Sequence, residues 1–366
     1  MKKQVLNLSF FDYAGAGERY SQAINRIGKY DCSSLKILPH KFGYKSDYIV
    51  ATEGLNFQSE EYRKRVSHAQ DLIDEADIIH LQGDDSILHW NSEEKFKNAY
   101  PSLTYPGLVV PIDKPVVITA IGSFFRRHLD SSFPGGMSRA RDSLEVVAAH
   151  TNVRTVDTPD LNYPQFDAEW LPFTLDTKSI ENRWLSNVHD IPLIGHSPSQ
   201  RNRKGTDSIF LPALEILKAR GIKFELDIIE NTSYADSLKR KKNLSLFFDQ
   251  SGFGWYGCSL IEATQHGIPS MAWISEHSLS QMNPEDRDIP VVSFAPTPEG
   301  YADAIIHTLE SDMEALSRKT KKWTDEVHSY EAVGTKLSNI YDGMLPKSKR
   351  KKATTKSNQS ERNPRK

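Results

Sequence analysis

Between Leu244 and Pro269 the chain passes from a short apolar run, Leu244 to Phe248, through a turn bearing Gly252, Gly254 and Gly257. A helical stretch then opens near Ser259 and closes at Gly267-Ile268-Pro269. A strand that empties through glycines into a helix does not return as a hairpin. Its next partner lies beyond a crossover, which favours a parallel sheet covered by helices. The start of such a helix offers unpaired backbone N–H groups and the positive end of its dipole, which suits a diphosphate. Glu262, read as falling in the first turn, adds a carboxylate able to accept hydrogen bonds from sugar hydroxyls. Taken alone, the segment is equally an ordinary strand–loop–helix unit.

A second segment has the same form. The apolar end Pro192 to Gly195 meets a polar loop and then a helix with Ile209, Leu211, Leu214, Ile216 and Leu217 at apolar spacing. Ser197, Ser199, Arg201, Arg203 and Lys204 crowd that loop. Hydroxyls that donate and cations that supply charge suit phosphate oxygens, although a basic loop by itself is usually just solvated.

The N-terminal half alternates in the same way. Strands are predicted at Val5 to Phe10, Leu35 to Leu38, Asp77 to Leu81, Val116 to Ala120 and Val153 to Val156, and helices at Glu18 to Ile27, Ser59 to Ile73 and Arg139 to Ala149. The βα order in both halves, with a proline-marked junction at Leu171-Pro172, gives an α/β chain of two Rossmann-like domains facing a cleft. The boundaries read as 1–175, 176–325, a final helix crossing back over 326–345, and a tail over 346–366. Periodicity extends that final helix from Trp323 to Met344. In open α/β sheets ligands sit beyond the carboxyl ends of the strands. Four places there bear candidate residues: the tight turn Gly15-x-Gly17, where a backbone can approach closely; His80, Gln82, Asp84 and Asp85; Gly122 and Ser123; and Arg126, Arg127 and His128. Gly15-x-Gly17 lacks the third glycine of a dinucleotide fingerprint, which argues against an NAD enzyme.

Composition excludes other classes. At 366 residues the chain has room for about two domains. It has no 18-residue apolar run, and its first apolar stretch is broken by Asn7, Ser9 and Asp12, so neither a membrane span nor a signal peptide is expected. Cys32 and Cys258, in different predicted domains, give neither a disulfide framework nor a metal quartet. These features predict a cytoplasmic protein. From Lys347 to Lys366 no apolar residue larger than alanine occurs, and nine Lys/Arg face one Glu. The segment is predicted to be disordered. The whole chain carries a formal −2 and the tail +8, which leaves the body acidic by about ten. A basic tail on an acidic body serves either as a solubilising extension or as a tether to a polyanion.

In their order and spacing, Lys204-Gly205, Tyr256-Gly257, Glu262-Ala263 and Gly267-Ile268-Pro269 resemble the C-terminal half of a GT-B glycosyltransferase of family 4, the group 1 type. The likeness is strongest from Pro192 to Trp273. The family usually has two glutamates eight positions apart. Here Glu262 matches the second, Gly254 stands at the first, and Asp249 and Gln250 are the nearest polar residues. The family histidine that follows the strand matching Val116 to Ala120 is replaced by Ala120-Ile121, with His128 nearest.

The resemblance implies a hexosyl or pentosyl transferase that moves a sugar from a nucleotide diphosphate donor to an acceptor hydroxyl with retention, using no metal and no cofactor beyond that co-substrate. Ser197, Ser199, Arg201, Lys204, Tyr256, Gly257 and Glu262 would bind the donor. His128, Asp84 and Asp85 are the catalytic candidates, and Gly15, Gly17, His80 and Arg126 would face the acceptor, which is a glycan, lipid-linked glycan, protein or DNA. A transferase acting on hydroxylated DNA bases, a nucleotide-sugar epimerase and a non-catalytic nucleotide-sugar-binding protein stay open beside it.

Overall fold

The computed structural model describes residues 2–39, 43–83, 107–111, 113–121, 151–162, 166–180 and 191–345. The candidates Asp84, Asp85, Arg126 and His128, the predicted helix at Arg139 to Ala149 and the tail at 347–366 lie outside these residues.

Two parallel sheets organise the described chain. The first contains β1 (Lys3–Ser9), β2 (Tyr30–Lys36), β3 (Tyr48–Ile49), β4 (Ile78–Gly83), β5 (Val116–Ala120), β6 (Val153–Val156) and β7 (Glu169–Trp170), in the order β3-β2-β1-β4-β5-β6-β7. The strand order reverses direction beside β1, the kind of switch point where open α/β sheets bind ligands. Helix α1 (Ala16–Ile27) follows β1. Helix α2 (Glu60–Glu75) starts where Ser59 caps it by accepting the Tyr62 N–H. β1 and β4 are buried over most of their length, so they read as continuous apolar runs with polar residues inserted, not as alternation.

The second sheet contains β8 (Leu193–His196), β9 (Glu225–Ile228), β10 (Leu246–Gln250) and β11 (Ser270–Ala272), in the order β11-β10-β8-β9. After β8 comes α3 (Arg201–Lys204), then a π-turn at Thr206–Phe210 and α4 (Leu211–Ala219). Gly205 links them at φ 75°, and a Cβ there would collide with Ser251 Oγ, so the residue is fixed by both backbone and space. Helix α5 (Tyr234–Lys241) follows β9 and α6 (Cys258–Thr264) follows β10. Phe210, Phe248, Phe294 and Tyr301 stack into the core of this second unit.

The helix predicted from Trp323 to Met344 is two helices. After α7 (Glu276–Ser280) and α8 (Pro298–Glu310), α9 (Met313–Val327) stops and α10 (Tyr330–Met344) restarts behind a Ser329 cap. The break is where the chain changes units. His328 is buried there, with Nδ1 2.6 Å from the Phe173 carbonyl and Nε2 3.1 Å from the Tyr256 hydroxyl, while its own carbonyl accepts from Leu175 N–H and Thr174 Oγ1. Helix α10 then lies against α1. Gly334 allows the contact, because a Cβ there would run into the Ala23 carbonyl.

Candidate functional site

The carboxyl ends of β8, β9 and β10 open onto a cavity of about 650 Å³. The loops that leave them supply Ser197, Ser199, Arg201, Lys204 and Glu230, and α5 and α6 supply Tyr234, Lys241, Cys258, Ser259 and Glu262. Ala14 and Tyr44 close it from the side of the first sheet. Five residues named from the sequence as donor contacts, Ser197, Ser199, Arg201, Lys204 and Glu262, are thus brought to one space.

Their local arrangement differs from an open basic loop. Lys204 is only 12% exposed, and its Nζ lies 2.8 Å from Oδ1 of Asp249, which is fully buried. The other Asp249 oxygen accepts the Gly257 N–H at 2.5 Å, so this carboxylate ties the lysine to the start of α6. Gly257 makes the approach possible: a Cβ there would stand 3.1 Å from Lys204 Nζ. The Gly257 N–H is therefore engaged within the protein. Two residues on, Ser259 Oγ is buried, lines the cavity and has no partner among the described residues. A buried hydroxyl without a partner carries a desolvation cost that a ligand oxygen would remove. Sequence reasoning marked Ser259 only as a helix start.

Arg201 sits at the mouth between two carboxylates, 2.6 Å from Asp207 and 3.0 Å from Glu230, which hold its fork toward the cavity. Ser197 Oγ donates to the Ile229 carbonyl at 3.3 Å. Cys258 also lines the cavity, but burial pushes its thiol far above the ordinary range, so it is a neutral wall group and not a nucleophile. Glu262 lies in the second turn of α6, not the first. Its Oε2 is 2.5 Å from Lys241 Nζ, and its Oε1 is 3.8 Å from Nη2 of Arg19, which arrives from α1.

Other sequence-derived positions do not join the site. Tyr256 is buried in the core between Trp255 and Trp323, with its hydroxyl on His328, and it cannot reach a donor. The loop before α6 has no periodicity to reveal this, and the partners that fix the ring lie about seventy positions later. His80 is inside β4 and not beyond its end. Tyr341 OH at 2.7 Å and Thr119 Oγ1 at 2.6 Å occupy both ring nitrogens, and burial lowers its pKa to about 3. It is a neutral core group with no ring nitrogen left for a ligand. Gly15 caps α1 against the Tyr44 ring, and the Gly17 N–H is taken by Asp12 Oδ1 at 2.7 Å, so Gly17 does not offer that group to a ligand. Among the described residues no group of three or more His, Cys, Asp or Glu is placed to hold a metal ion, and no helix is long and apolar enough to cross a membrane.

No protein-family profile and no curated protein matches the sequence. Solved structures do match its fold. HepE of Anabaena in complex with UDP and glucose aligns with 93% of this chain and 100% of its own at a TM-score of 0.60 and 11% identity. An alpha-glucosyltransferase in complex with UDP and a 13-mer DNA containing a HMU base aligns with 93% and 100% at 0.57 and 10% identity. Sucrose-phosphate synthase from Thermosynechococcus elongatus aligns with 93% and 99% at 0.55 and 12% identity. At such identities the likeness is one of architecture, and with the two parallel sheets and the cavity beside them it gives this chain the GT-B fold of two facing Rossmann-like domains.

Proposed function

We propose that this chain is a glycosyltransferase that moves a sugar from a nucleotide diphosphate donor to an acceptor hydroxyl, with retention, as the family 4 resemblance implies. The observation that carries the reading is Lys204, held by buried Asp249 at the N-terminal end of α6 inside a cavity that also contains Glu262. As the sugar–oxygen bond breaks, the leaving diphosphate gains charge. Lys204, Arg201 and the Ser259 hydroxyl are cationic or hydrogen-donating groups set in advance where that charge grows. These groups do the neutralising that a divalent cation would otherwise do, which favours a metal-independent reaction. Glu262 is placed to accept ribose hydroxyls. The acceptor oxygen bonds to the anomeric carbon as the bond from that carbon to the diphosphate breaks, the acceptor proton passes to the departing diphosphate oxygen, and the products are the glycoside and the nucleoside diphosphate. Bound UDP in HepE and in the alpha-glucosyltransferase supports a nucleotide in the equivalent cleft. The DNA in the second of these complexes, with nine Lys/Arg between Lys347 and Lys366, favours a DNA base hydroxyl as acceptor over the other choices.

The test is calorimetric titration with UDP, GDP and ADP. Removing Lys204 alone strands the buried Asp249 charge and destabilises the fold, so the informative comparison is Asp249→Asn against Asp249→Asn with Lys204→Ala. Loss of one charge-assisted contact costs about 1.5–3 kcal/mol, at least a tenfold weaker nucleotide complex, at nearly equal thermal stability. Equal affinity of the two variants for every nucleotide overturns the assignment of Lys204.

A further inference from the structure

Positions 16, 20, 23 and 24 of α1 form its buried stripe, and Arg19 lies within that stripe, only 8% exposed. Its guanidinium carbon is 4.9 Å from the Phe173 ring centroid, 5.3 Å from that of Tyr234 and 5.9 Å from that of Tyr44. Nη2 donates to the Tyr234 hydroxyl at 2.7 Å and stands 3.8 Å from Glu262 Oε1, while Nη1 is buried with no partner among the described residues. Arg19 belongs to the first unit, and Tyr234 and Glu262 to the second. The residue also lines a neighbouring cavity of about 510 Å³ that shares Tyr44 and Tyr234 with the first.

Charge neutrality does not explain this arginine. Lys241, from the same unit as Glu262, already meets the carboxylate at 2.5 Å. A second buried cation adds desolvation cost, and the other carboxyl within its reach, Asp12, feels its charge but makes no ion pair with it. The geometry suits a different task. Lys241 fixes Oε2, Arg19 faces Oε1 from a distance too long for a hydrogen bond, and the Tyr234 hydroxyl that Arg19 holds donates to the same carboxylate, so the plane of Glu262 is held from both sides. Its hydrogen bond to Tyr234 orients a second cavity wall by the same contact.

We infer that Arg19 is a positioning residue: reaching across from the first unit, it orients Glu262 and Tyr234 so that the nucleoside part of the donor is gripped only when the two units are docked. The inference rests on the donor reading above. It makes donor affinity depend on a residue that touches no part of the diphosphate.

The experiment is a double-substitution cycle on ligand binding, with two probes: whichever of UDP, GDP and ADP the unsubstituted chain binds most tightly, and inorganic diphosphate, which has no ribose. Arg19→Met is expected to weaken the nucleotide about tenfold or more and to change inorganic diphosphate by less than about twofold. In a Glu262→Gln background the same substitution should add less than about twofold, because contacts acting through one partner are not additive. Arg19→Lys should restore part of the nucleotide affinity. Should Arg19→Met fail to fold, Tyr234→Phe removes the hydroxyl that receives Nη2 and is expected to show the same split between probes, about threefold. Equal weakening of both probes, additivity with Glu262→Gln, or a lower melting temperature with nucleotide affinity unchanged each overturns the role of Arg19 while the donor reading stands. Failure of the unsubstituted chain to bind any of the three nucleotides removes the donor reading and this inference with it.

Discussion

Asp12 combines two costs in one residue. Its backbone is left-handed at φ 49°, and its carboxyl is buried with Oδ2 lacking a partner among the described residues. Burial pushes its pKa up to about 6, against the Gly17 N–H, Lys36 and Arg19, which pull it down. The folded protein therefore holds this proton more tightly than the unfolded chain does. The Asp12 contribution to stability is most favourable below about pH 4 and is lost as pH rises to 6, a change on the order of 3 kcal/mol. Asp12→Asn keeps an acceptor for Gly17 and carries no charge, so it is expected to raise stability at pH 7 and to remove the Asp12 component from a melting curve taken between pH 4 and 6. A variant no more stable than the parent at pH 7 contradicts this. At this scale the sequence was partly legible. Lys204 and Glu262 were visible because motif spacing sets them at strand-to-helix junctions. Arg19 was missed although its signal was present, a charged residue at i+3 from Ala16 and i−4 from Ala23 in an otherwise buried stripe. His80 misled because β4 is buried on both faces, and alternation cannot separate a strand interior from its end.

The elements were more legible than the residues. β5 and β6 fall where apolar runs predict them, whereas β2 runs from Tyr30 to Lys36 and shares only Leu35 and Lys36 with the predicted strand. What sequence could not supply was the break between α9 and α10. The apolar spacing continues through Val327, Tyr330 and Val333, and only the Ser329 cap and the long-range bonds of His328 end one helix and begin another. Helix α10 depends on Gly334 for its approach to α1. Gly334→Val puts a branched side chain against the Ala23 carbonyl, and the overpacking is expected to cost about 1–3 kcal/mol or more. Gly343→Ala, on the same helix with open space around it, should be neutral or slightly stabilising. Urea midpoints that move equally for the two variants would rule out the close contact.

At the scale of the whole molecule, three histidines set the acid limit. His80, His196 and His328 are buried, and burial lowers their pKa values to about 3, 4 and 4. Each stays neutral in the folded state while the unfolded chain takes up protons below about pH 6.5, so stability falls as pH drops from 6.5 toward 4. Each is worth on the order of 3 kcal/mol over that interval, and together they rival the 5–15 kcal/mol stability of an ordinary domain. Asp12 acts in the opposite direction but is outweighed. The protein is expected to lose cooperative structure before pH 4, followed by near-ultraviolet circular dichroism, and a native spectrum at pH 3.5 would contradict the accounting. Helix α10 carries a further consequence. Val333, Leu337 and Tyr341 cover the same apolar surface as Ala16, Tyr20 and Ile24, more than three hundred positions earlier in the chain. During vectorial synthesis, α1 leaves the ribosome long before its cover exists. The first half must therefore wait, partly open, until almost the last of these residues is translated, and nascent chains stalled before Tyr330 are the form of this protein that chaperones should hold.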